Sequence, residues 1–366
     1  MEIMHAAPGC AMNTMTVKTM TARTISAPTI TVKTTRGIAD NVLDTIGRTP
    51  LVRLKRRYAD CDFRVFAKLE SFNPGGSLKD RPAHNVIRKA LSQGLVKPGG
   101  TIVESSSGNM GIGLAQVCAF YNLRFICVID PKTTTQNIDI LKAFGATVDL
   151  VSEPDPVTGE FLQARIARVK ELAENTPNSY WPNQYSNFAN AEAHFETMRE
   201  ITEALDGDVD YLFCAVSTCG TMSGCANYIR RHALKTKLWA VDAMGSVLFG
   251  GQAAKRLIPG HGASIVRKLC VPHLADRYIR VTDLDCIRGC RSLVSNESIL
   301  AGGSSGGIIS AVEKVKGDIR RGSTCVVILP DRGERYLDTI YSESWVRKHF
   351  GDQFQEPCTT YNCAAD

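Results

Sequence analysis

The sequence predicts an α/β protein of two three-layer domains, each built on a mostly parallel twisted sheet. Short apolar segments of strand type alternate with longer helical segments, the pattern of parallel strands joined by crossover helices. The alternation occurs in two series, separated by a polar loop at Trp181. A chain of 366 residues is long enough for two such domains. Because ligand sites in open α/β sheets lie at the carboxyl ends of the strands, we expect a cleft where the two sets of strand ends meet.

The first series starts near Asn41, where residues 45–54 predict a turn and a short strand. Hydrophobic periodicity predicts the elements that follow. The strands are expected at 66–70, 101–104, 124–129 and 145–151, and the helices at 82–91, 109–121, 135–144 and 160–175.

The second series follows the polar loop of residues 180–187. It has the same alternation of short apolar and longer amphipathic segments. The strands are expected at 210–215, 237–242, 278–281 and 325–329, and the helices at 191–205, 221–232, 284–294 and 306–316.

Composition excludes several classes of function. Hydrophobic residues make up 44% of the chain and charged residues 22%, which is ordinary for a globular protein. The formal net charge of +6 is spread along the chain and the basic runs are short, so no nucleic-acid partner is expected. Apolar runs are shorter than the roughly 18 residues that span a bilayer, so no membrane partner is expected either.

The 13 cysteines lie mostly inside apolar runs, as reduced core thiols do. No closely spaced Cys-x-x-Cys pair is present. Cys286 and Cys290 are four residues apart without nearby histidines, which favours helical spacing over a zinc site. We therefore expect no metal, and a reducing, cytoplasmic compartment.

The two ends of the chain differ from the rest. Residues 1–40 are rich in Thr, Met and Ala, which is typical of transit peptides and of disordered tails. The small number of arginines and the lack of an amphipathic face favour a disordered or loosely ordered tail. Residues 351–366 are expected to form a second tail.

Residues 73–82, Asn-Pro-Gly-Gly-Ser-Leu-Lys-Asp-Arg-Pro, form a turn between a strand and a helix. Lys79 lies where the helix begins. A sheltered lysine at the positive end of a helix would have a lowered pKa, as Schiff-base and general-base lysines require. A solvated lysine at the helix start is the alternative, and it is the more frequent case for a lysine considered alone.

Residues 104–111, Glu-Ser-Ser-Ser-Gly-Asn-Met-Gly, also follow a strand and open a helix. Several backbone N–H groups converge there, which makes a site for an anion such as a carboxylate. The candidates for substrate binding are Ser106, Ser107, Gly108 and Met110. Asn109 adds an amide that could hold a ring hydroxyl. A loop that only caps the helix would have the same composition.

Residues 216–224 repeat this arrangement in the second series. Backbone amides and hydroxyls could surround a phosphate without a lysine. The loop lacks the Gly-Lys-Ser/Thr ending of a nucleoside-triphosphate loop and the spacing of a dinucleotide fingerprint. The candidate phosphate ligands are Ser217, Thr218, Cys219, Gly220 and Thr221.

Residues 301–307, Ala-Gly-Gly-Ser-Ser-Gly-Gly, form a third loop before a helix, with Ser304 and Ser305 as neutral hydroxyl groups. The segment 302–306 also matches the Gly-x-Ser-x-Gly pattern of a serine hydrolase. No histidine and acid stand out in hydrolase order, so a hydrolase is the minor hypothesis.

An amine, an anion loop, a phosphate loop and a hydroxyl loop, each expected after a strand, together indicate one phosphorylated carbonyl cofactor. Pyridoxal 5′-phosphate fits all four. Lys79 would bind its aldehyde, and the loop of residues 217–221 would bind its phosphate. Asn109 would contact the ring hydroxyl and Ser304 the ring nitrogen.

These loops together resemble the cysteine synthase and cystathionine β-synthase family of pyridoxal phosphate enzymes, over residues 41–350. The segment 73–82 resembles the cofactor-lysine segment of that family, 106–111 its substrate-carboxylate loop, and 217–221 its phosphate loop. Gln184 matches a glutamine that helps to hold the substrate carboxylate. The segments 302–306 and 329–337 complete the likeness.

The resemblance implies the fold of type II pyridoxal phosphate enzymes, like that of the tryptophan synthase β-subunit. It implies a large cofactor domain formed by residues 41–78 and 188–350, and a smaller domain formed by residues 79–187. It implies Lys79 as the catalytic residue that binds the cofactor and moves a proton. A homodimer is also implied.

The chain departs from typical cysteine synthases in its phosphate loop, where Ser217-Thr-Cys-Gly-Thr221 replaces Gly-Thr-Gly-Gly-Thr. The segments 181–185, 259–264 and 329–333 are more similar to a siderophore-pathway branch of the family. That branch joins O-phospho-L-serine to L-glutamate on the way to 2,3-diaminopropionate. The resemblance therefore implies these two amino acids as substrates.

Alternatives remain at this point. An ordinary cysteine synthase would use sulfide as the nucleophile, and a regulatory protein would bind the cofactor or a partner without turnover. Phosphoserine carries more negative charge than acetylserine, so a cation is expected near its β-position. Arg165, Lys132 and Arg332 are the candidates.

Overall fold

The framework of the molecule is a pair of β-sheets, seen in a computed structural model that describes residues 38–266 and 268–354. The described strands are β1 (Leu51–Arg53), β2 (Arg64–Leu69), β3 (Thr101–Ser105), β4 (Arg124–Ile129), β5 (Thr147–Leu150), β6 (Ser179–Tyr180), β7 (Tyr211–Ala215), β8 (Lys237–Ala243), β9 (Arg277–Val281) and β10 (Thr324–Leu329). The described helices are α1 (Asp80–Ser92), α2 (Asn109–Phe120), α3 (Thr135–Ala143), α4 (Phe161–Asn175), α5 (Phe188–Ala204), α6 (Gly220–Arg231), α7 (Asp283–Glu297), α8 (Gly303–Val315) and α9 (Glu343–Phe350).

The larger sheet has six strands in the order β1-β2-β10-β7-β8-β9, and the smaller sheet has four in the order β5-β4-β3-β6. Among the described strands all neighbours are parallel except β1 and β2. The register pairs Val327 of β10 with Ala67 of β2, and Val103 of β3 with Ile126 of β4. The predicted α/β fold with mostly parallel sheets is confirmed.

Helices cover both faces of both sheets, which gives three layers in each half. Ile308 of α8 and Met222 of α6 lie in the cores on opposite faces of the larger sheet. Leu114 of α2 and Val169 of α4 do the same for the smaller sheet. Strands β3 and β10 are buried at every residue, as expected for strands covered on both faces, and β3 carries the polar residues Thr101, Glu104 and Ser105 within this burial.

The predicted elements agree with the structure to within a few residues, with four differences. Strand β6 lies partly in the segment predicted as a loop, and α9 was not predicted. The loop of residues 301–307 follows helix α7, and the prediction that it follows a strand is wrong. Helix α8 also begins at Gly303, three residues before its predicted start, because the glycines in its first turn weaken the helical signal.

The strands of the smaller sheet lie between residues 101 and 180, and those of the larger sheet lie before residue 70 or after residue 210. The predicted domain boundaries at 79 and 187 stay a prediction. Most of the two predicted tails lies outside the described residues. The C-terminal tail was predicted from residue 351, but residues Gly351–Gln353 form a 3₁₀ turn and Phe354 packs against the core of the larger sheet.

The ten described cysteines are free thiols, and all except Cys61 are buried. This agrees with the prediction of reduced core thiols. Within the described ranges, no helix is both long enough and apolar enough to cross a bilayer.

Three chain segments meet at the carboxyl end of β10. Residue Leu78 donates its backbone N–H to Pro330 O (2.8 Å), and Ser77 forms an isolated β-bridge with Asp331. On the other side, Ala301 forms a bridge with Arg332. The segment after β10 therefore holds the lysine segment and the glycine-rich start of α8 together.

Candidate active site

Lys79 is the last residue before α1, as the sequence predicted. The turn before it is closed by Asp80, whose carboxylate accepts a hydrogen bond from the Gly75 N–H. Pro82 lies in the first turn of the helix, where its missing N–H has no cost. These features place the Lys79 side chain at the carboxyl edge of the larger sheet.

The Lys79 ammonium is held in an environment that disfavours its charge. Burial lowers the pKa of Lys79 from 10.5 to about 8, and the nearby Asp331 carboxylate partly opposes this effect. Among the described residues no hydrogen bond or ion pair engages the ammonium. A larger share of this amine is therefore unprotonated at neutral pH than in an ordinary lysine.

A network of buried charges lies directly behind Lys79. Arg81 bonds Glu70 through Nε (2.7 Å to Oε2) and Glu200 through Nη1 (2.7 Å to Oε1). Lys68 completes the network, with Nζ 2.7 Å from Glu200 Oε2 and 2.6 Å from Thr49 O. Burial raises the pKa of Glu200, but the hydrogen bond and charge of Arg81 outweigh burial and lower this pKa to about 2. This network joins β2, α1 and α5 beneath the lysine segment.

The predicted anion loop lies between β3 and α2. Ser106 Oγ accepts a hydrogen bond from the Gly111 N–H (2.9 Å). Its hydroxyl therefore caps the start of the helix, in agreement with the alternative that this loop has a capping role. The Ser107 carbonyl accepts from Asn137 Nδ2 (3.0 Å). Met110 is buried in the core of the smaller sheet, so only its backbone can reach a ligand. The anion-binding capacity of this loop therefore resides in its backbone N–H groups.

Asn109 lies between two residues of the segment after β10. Its Nδ2 donates to Asp331 Oδ2 (2.7 Å), and its Oδ1 accepts from Arg335 Nη1. Tyr336 also donates to Asp331 Oδ2 (2.6 Å), whereas the buried Oδ1 of Asp331 has no partner in the described chain. Burial raises the pKa of Asp331 despite the hydrogen bonds from Tyr336 and Asn109. These contacts link α2 of the smaller sheet to the larger sheet.

The predicted phosphate loop joins β7 to α6. Cys219 has a left-handed backbone conformation (φ 63°), which non-glycine residues rarely adopt. Gly220 follows at the start of the helix, where a Cβ atom would lie 2.3 Å from Asn190 Oδ1. That oxygen is buried and has no partner in the described residues. The loop therefore brings the N-terminus of α6 tightly against α5.

The loop hydroxyls are arranged around the start of α6. Thr218 Oγ1 lies 3.5 Å from both the Gly220 N–H and Asn190 Nδ2. Thr221 Oγ1 lies 3.4 Å from Nε2 of the buried His194. Burial, together with the positive charges of Lys79 and Arg81, lowers the pKa of His194 well below 6.5, so this histidine is neutral.

Ser304 and Ser305 both lie in the first turn of α8 and are buried. The Ser305 hydroxyl has no partner in the described chain. The hydrolase alternative requires a histidine beside Ser304, and no described hydrogen bond joins the two. The histidine that contacts α8 is His261, which bonds Val241 O (3.1 Å) and faces Cys286 Sγ (3.6 Å).

Gln184 lies in the loop before α5. Its Nε2 donates to Ser105 O (3.1 Å) and its backbone N–H donates to Glu104 Oε2 (3.1 Å). Trp181 donates to the other oxygen of Glu104 (3.2 Å). Burial raises the pKa of Glu104 to about 7. The loop of residues 181–184 is thus tied to the end of β3, next to the anion loop.

The three candidate cations differ in what they contact. Arg165 is buried, with its Nε 3.3 Å from Asp130 Oδ2. Lys132 lies over the Phe161 ring, 5.4 Å from its centroid. Arg332 is exposed and donates to Ser71 O (3.0 Å).

Sequence reasoning missed Asp331, Arg335 and the network around Arg81. Asp331 follows a buried strand directly, which is the same signal that identified the other loops. Arg335 carries no such signal, because its contacts with Asn109 and Gly75 O depend on the approach of the two sheets.

Comparisons with known proteins agree with the predicted cofactor class. A family model described as pyridoxal-phosphate dependent enzyme matches residues 42–331. The chain is 45% identical over 312 residues to N-(2-amino-2-carboxyethyl)-L-glutamate synthase of Ralstonia nicotianae, and the match covers 85% of this chain and 92% of that protein.

Two solved structures have a similar fold. An O-acetylserine dependent cystathionine beta-synthase from Helicobacter pylori is 31% identical with a TM-score of 0.78, covering 83% of this chain and 99% of that chain. The O-acetyl serine sulfhydrylase isoform 3 from Entamoeba histolytica is 36% identical with a TM-score of 0.77, covering 85% and 94%. In both cases the likeness extends over most of the two chains.

The residues of the site fit pyridoxal phosphate. A desolvated primary amine without a partner suits the aldehyde. The N-terminus of α6, with its backbone N–H groups, its hydroxyls and Gly220 where no Cβ atom fits, forms a tight polar setting for a phosphate. The start of α8 offers neutral hydroxyls for a ring nitrogen.

Proposed function

Because this chain belongs to the pyridoxal-phosphate dependent enzyme family, we propose that it joins O-phospho-L-serine to L-glutamate with release of phosphate. The product is N-(2-amino-2-carboxyethyl)-L-glutamate. The observation that carries the proposal is the 45% identity to the Ralstonia nicotianae enzyme named for that product. The chain is a pyridoxal phosphate enzyme, and this cofactor suits a β-replacement.

When bound, pyridoxal phosphate supplies an aldehyde that takes up the substrate amine and a ring that stabilises the charge left at the α-carbon. Lys79 would hold this aldehyde before the substrate arrives. Its freed amine then removes the α-proton and later returns it to the product. The pKa of about 8 suits both transfers, because it lies close to neutral pH.

Residues at the start of three helices hold the cofactor and the substrate. Ser217, Thr218 and Thr221 would bind the phosphate together with the backbone N–H groups of Cys219 and Gly220. Since His194 behind them is neutral, the N-terminus of α6 supplies the positive potential.

Ser304 and Asn109 would contact the ring nitrogen and the ring hydroxyl. Asn109 must exchange its bond to Asp331 or Arg335 to do so. The substrate carboxylate lies on the N–H groups of the loop of residues 106–110, with Gln184 beside it.

The reaction occurs in two stages. The Cβ–O bond of phosphoserine breaks and its electron pair leaves with the phosphate. The amine of L-glutamate then forms the Cβ–N bond and gives up a proton. Phosphate leaves before glutamate reacts, so ping-pong kinetics are expected, and a ternary-complex pattern would contradict the proposal.

The experiment supplies the purified holoenzyme with O-phospho-L-serine and either L-glutamate or sulfide, and identifies the adduct by mass spectrometry. The expected product is the glutamate adduct, with one phosphate released for each molecule formed. Formation of cysteine alone would support the second candidate, a cysteine synthase. The similarity to the Entamoeba histolytica sulfhydrylase is the observation that favours that candidate.

The family resemblance suggests the pathway and the homodimer, and the cysteine pattern suggests the compartment. The product serves the synthesis of 2,3-diaminopropionate for a siderophore, and the enzyme acts as a homodimer in the cytoplasm. The ten free thiols of the described chain support a reducing compartment. Light scattering would measure the oligomeric state, and a monomer would contradict the dimer.

A further inference from the structure

A segment of the larger half crosses between the phosphate loop and α8. Gly262 donates its N–H to Val216 O (2.7 Å), immediately before the phosphate loop. Ile258 packs on the start of α8, where a Cβ on Gly303 would lie 2.5 Å from its Cγ2. The Leu257 N–H donates to Asp283 Oδ2 (2.9 Å). The segment 256–262 is thus fixed at three points around the proposed cofactor site.

Arg256 begins this segment, and its guanidinium is only partly used. Its Nη2 donates to Ser264 Oγ (2.8 Å), whereas its buried Nη1 has no partner in the described chain. Nη1 lies against Gly262, where a Cβ atom would be 2.6 Å away. The backbone there has φ 69°, so glycine suits both the conformation and the space.

No carboxylate of the described residues lies within ion-pair distance of Arg256. Burial lowers the pKa of Arg256, and the more distant Asp242, Asp283 and Glu160 oppose this effect. Glu160 precedes α4 of the smaller half, so the guanidinium lies within the electrostatic reach of that half. A buried guanidinium N–H without an acceptor is costly, and a carboxylate bound to this guanidinium would offset that cost.

The other arginines near the site are already engaged. Arg165 is paired with Asp130, and Arg81 is enclosed by Glu70 and Glu200. Arg335 donates to Asn109 Oδ1 and Gly75 O, and Arg332 donates to Ser71 O. Among the described residues, Arg256 is the one of these five arginines that combines a buried donor without a hydrogen-bond partner with the lack of an ion pair.

We propose that Arg256 binds the side-chain carboxylate of the amino acid that acts as the nucleophile, and so selects an acidic amine. This inference rests on the proposed function. The nucleophilic amine and the α-carboxylate share one carbon, which must approach the cofactor. The side-chain carboxylate lies further out, where the half-exposed Arg256 can reach it.

The test separates the two half-reactions in the holoenzymes of wild type, Arg256→Gln and Arg256→Lys. Phosphate release from O-phospho-L-serine alone measures the first stage. The rate of adduct formation against L-glutamate concentration measures the second. Lys255→Gln is the matched control, because it removes the same charge from the adjacent exposed residue.

In Arg256→Gln the KM for L-glutamate rises about 10- to 100-fold, as expected for a lost hydrogen bond between charged groups. Arg256→Lys shows a smaller rise, because lysine keeps the charge but not the bidentate geometry. Phosphate release is unchanged in both, which also shows that the variants are folded. Lys255→Gln stays within about twofold of wild type, since an exposed charge contributes little.

A substrate series identifies the carboxylate. L-Glutamine lacks the side-chain carboxylate, and the α-amide of L-glutamate lacks the α-carboxylate. Wild type prefers L-glutamate to both, whereas Arg256→Gln loses its preference over L-glutamine and keeps its preference over the α-amide. An unchanged KM for L-glutamate in Arg256→Gln, or loss of its preference over the α-amide, overturns the role of Arg256 and leaves the proposed function standing. If wild type forms no glutamate adduct, the proposed function fails, and this inference fails with it.

Discussion

Two groups of charged residues flank the turn before α1, and they differ in how well they are paired. Behind the turn, Arg81 is bonded to Glu70 and Glu200 at 2.7 Å each. In front of it, Lys79 has a lowered pKa and Asp331 keeps a buried oxygen without a partner in the described chain. The comparison shows that one helix start combines a satisfied anchor with a reactive group kept unsatisfied, as trade-offs between stability and activity predict.

The sharpest way to break the anchor is Arg81→Met. The substitution leaves Glu70 buried without its cation, and we expect a loss of about 3–5 kcal/mol in the free energy of unfolding. Urea denaturation measures the loss. The control is Arg88→Met on the exposed side of α1, which should change stability by about 0.5 kcal/mol or less. A loss below about 1 kcal/mol in Arg81→Met would show that the network does not anchor the turn.

Lys79→Met tests the unpaired group in front of the turn. It should raise the free energy of unfolding, which Arg81→Met lowers. Because the folded pKa of about 8 lies below the ordinary 10.5, the unfolded chain binds the proton more tightly. The cofactor-free variant should therefore gain about 1–3 kcal/mol of stability at pH 7 while losing turnover and the visible absorption of bound cofactor.

The pH dependence checks the cause of that gain. The penalty from Lys79 is complete below pH 8 and disappears as the pH rises from 8 towards 10.5. The stability difference between wild type and Lys79→Met should therefore narrow over this interval. A constant difference would assign the gain to packing and not to the charge.

Asp331→Asn tests the pair in front of the turn. Removing this carboxylate should lower the pKa of Lys79 further, by about one unit, because Asp331 is the charge that raises it. The pH dependence of cofactor binding to the cofactor-free protein reports this pKa, since only the unprotonated amine reacts. The exposed Asp338→Asn is the control. A rise in the pKa of Lys79 in Asp331→Asn would contradict the electrostatic effect of Asp331 on Lys79.

The smallest expected effect concerns the strain at Cys219. Both Cys219→Gly and Cys219→Ala remove the buried thiol, but only glycine relieves the left-handed conformation. The glycine variant should be more stable than the alanine variant by about 1 kcal/mol. Thermal unfolding of the two holoenzymes measures the difference. Equal stability would indicate that the loop relaxes around alanine.

Much of the fold could be predicted because its signals are local. Strand β4 was predicted with its observed ends, since an apolar run of five residues is bounded by Arg124 and Asp130. The loops before α1, α2 and α6 were also predicted, because small and turn-forming residues interrupt the apolar pattern there. Helix α9 was missed because it is only eight residues long and largely exposed.

The contacts within the site were less accessible to prediction. Ser106 was proposed as a substrate ligand, but its hydroxyl accepts the Gly111 N–H, and this depends on the exact curvature of the loop. The partners of Arg81 lie 11 residues before it and 119 residues after it, so no sequence spacing reveals them. Arg256 was not identified, because its importance lies in a donor without a partner, and sequence does not show partners.

The sequence by itself predicted most of the strands and helices in their order, the cofactor class, and Lys79 as the lysine that would bind the cofactor, because these predictions rest on periodicity, turn chemistry and loop composition. Only the tertiary structure decided which buried charges are satisfied and which are left available. Pairing depends on distances of a few ångströms between residues far apart in the chain. The same helix start therefore holds Arg81 as an anchor and Lys79 as a reactive amine, two residues apart in sequence but in opposite electrostatic states.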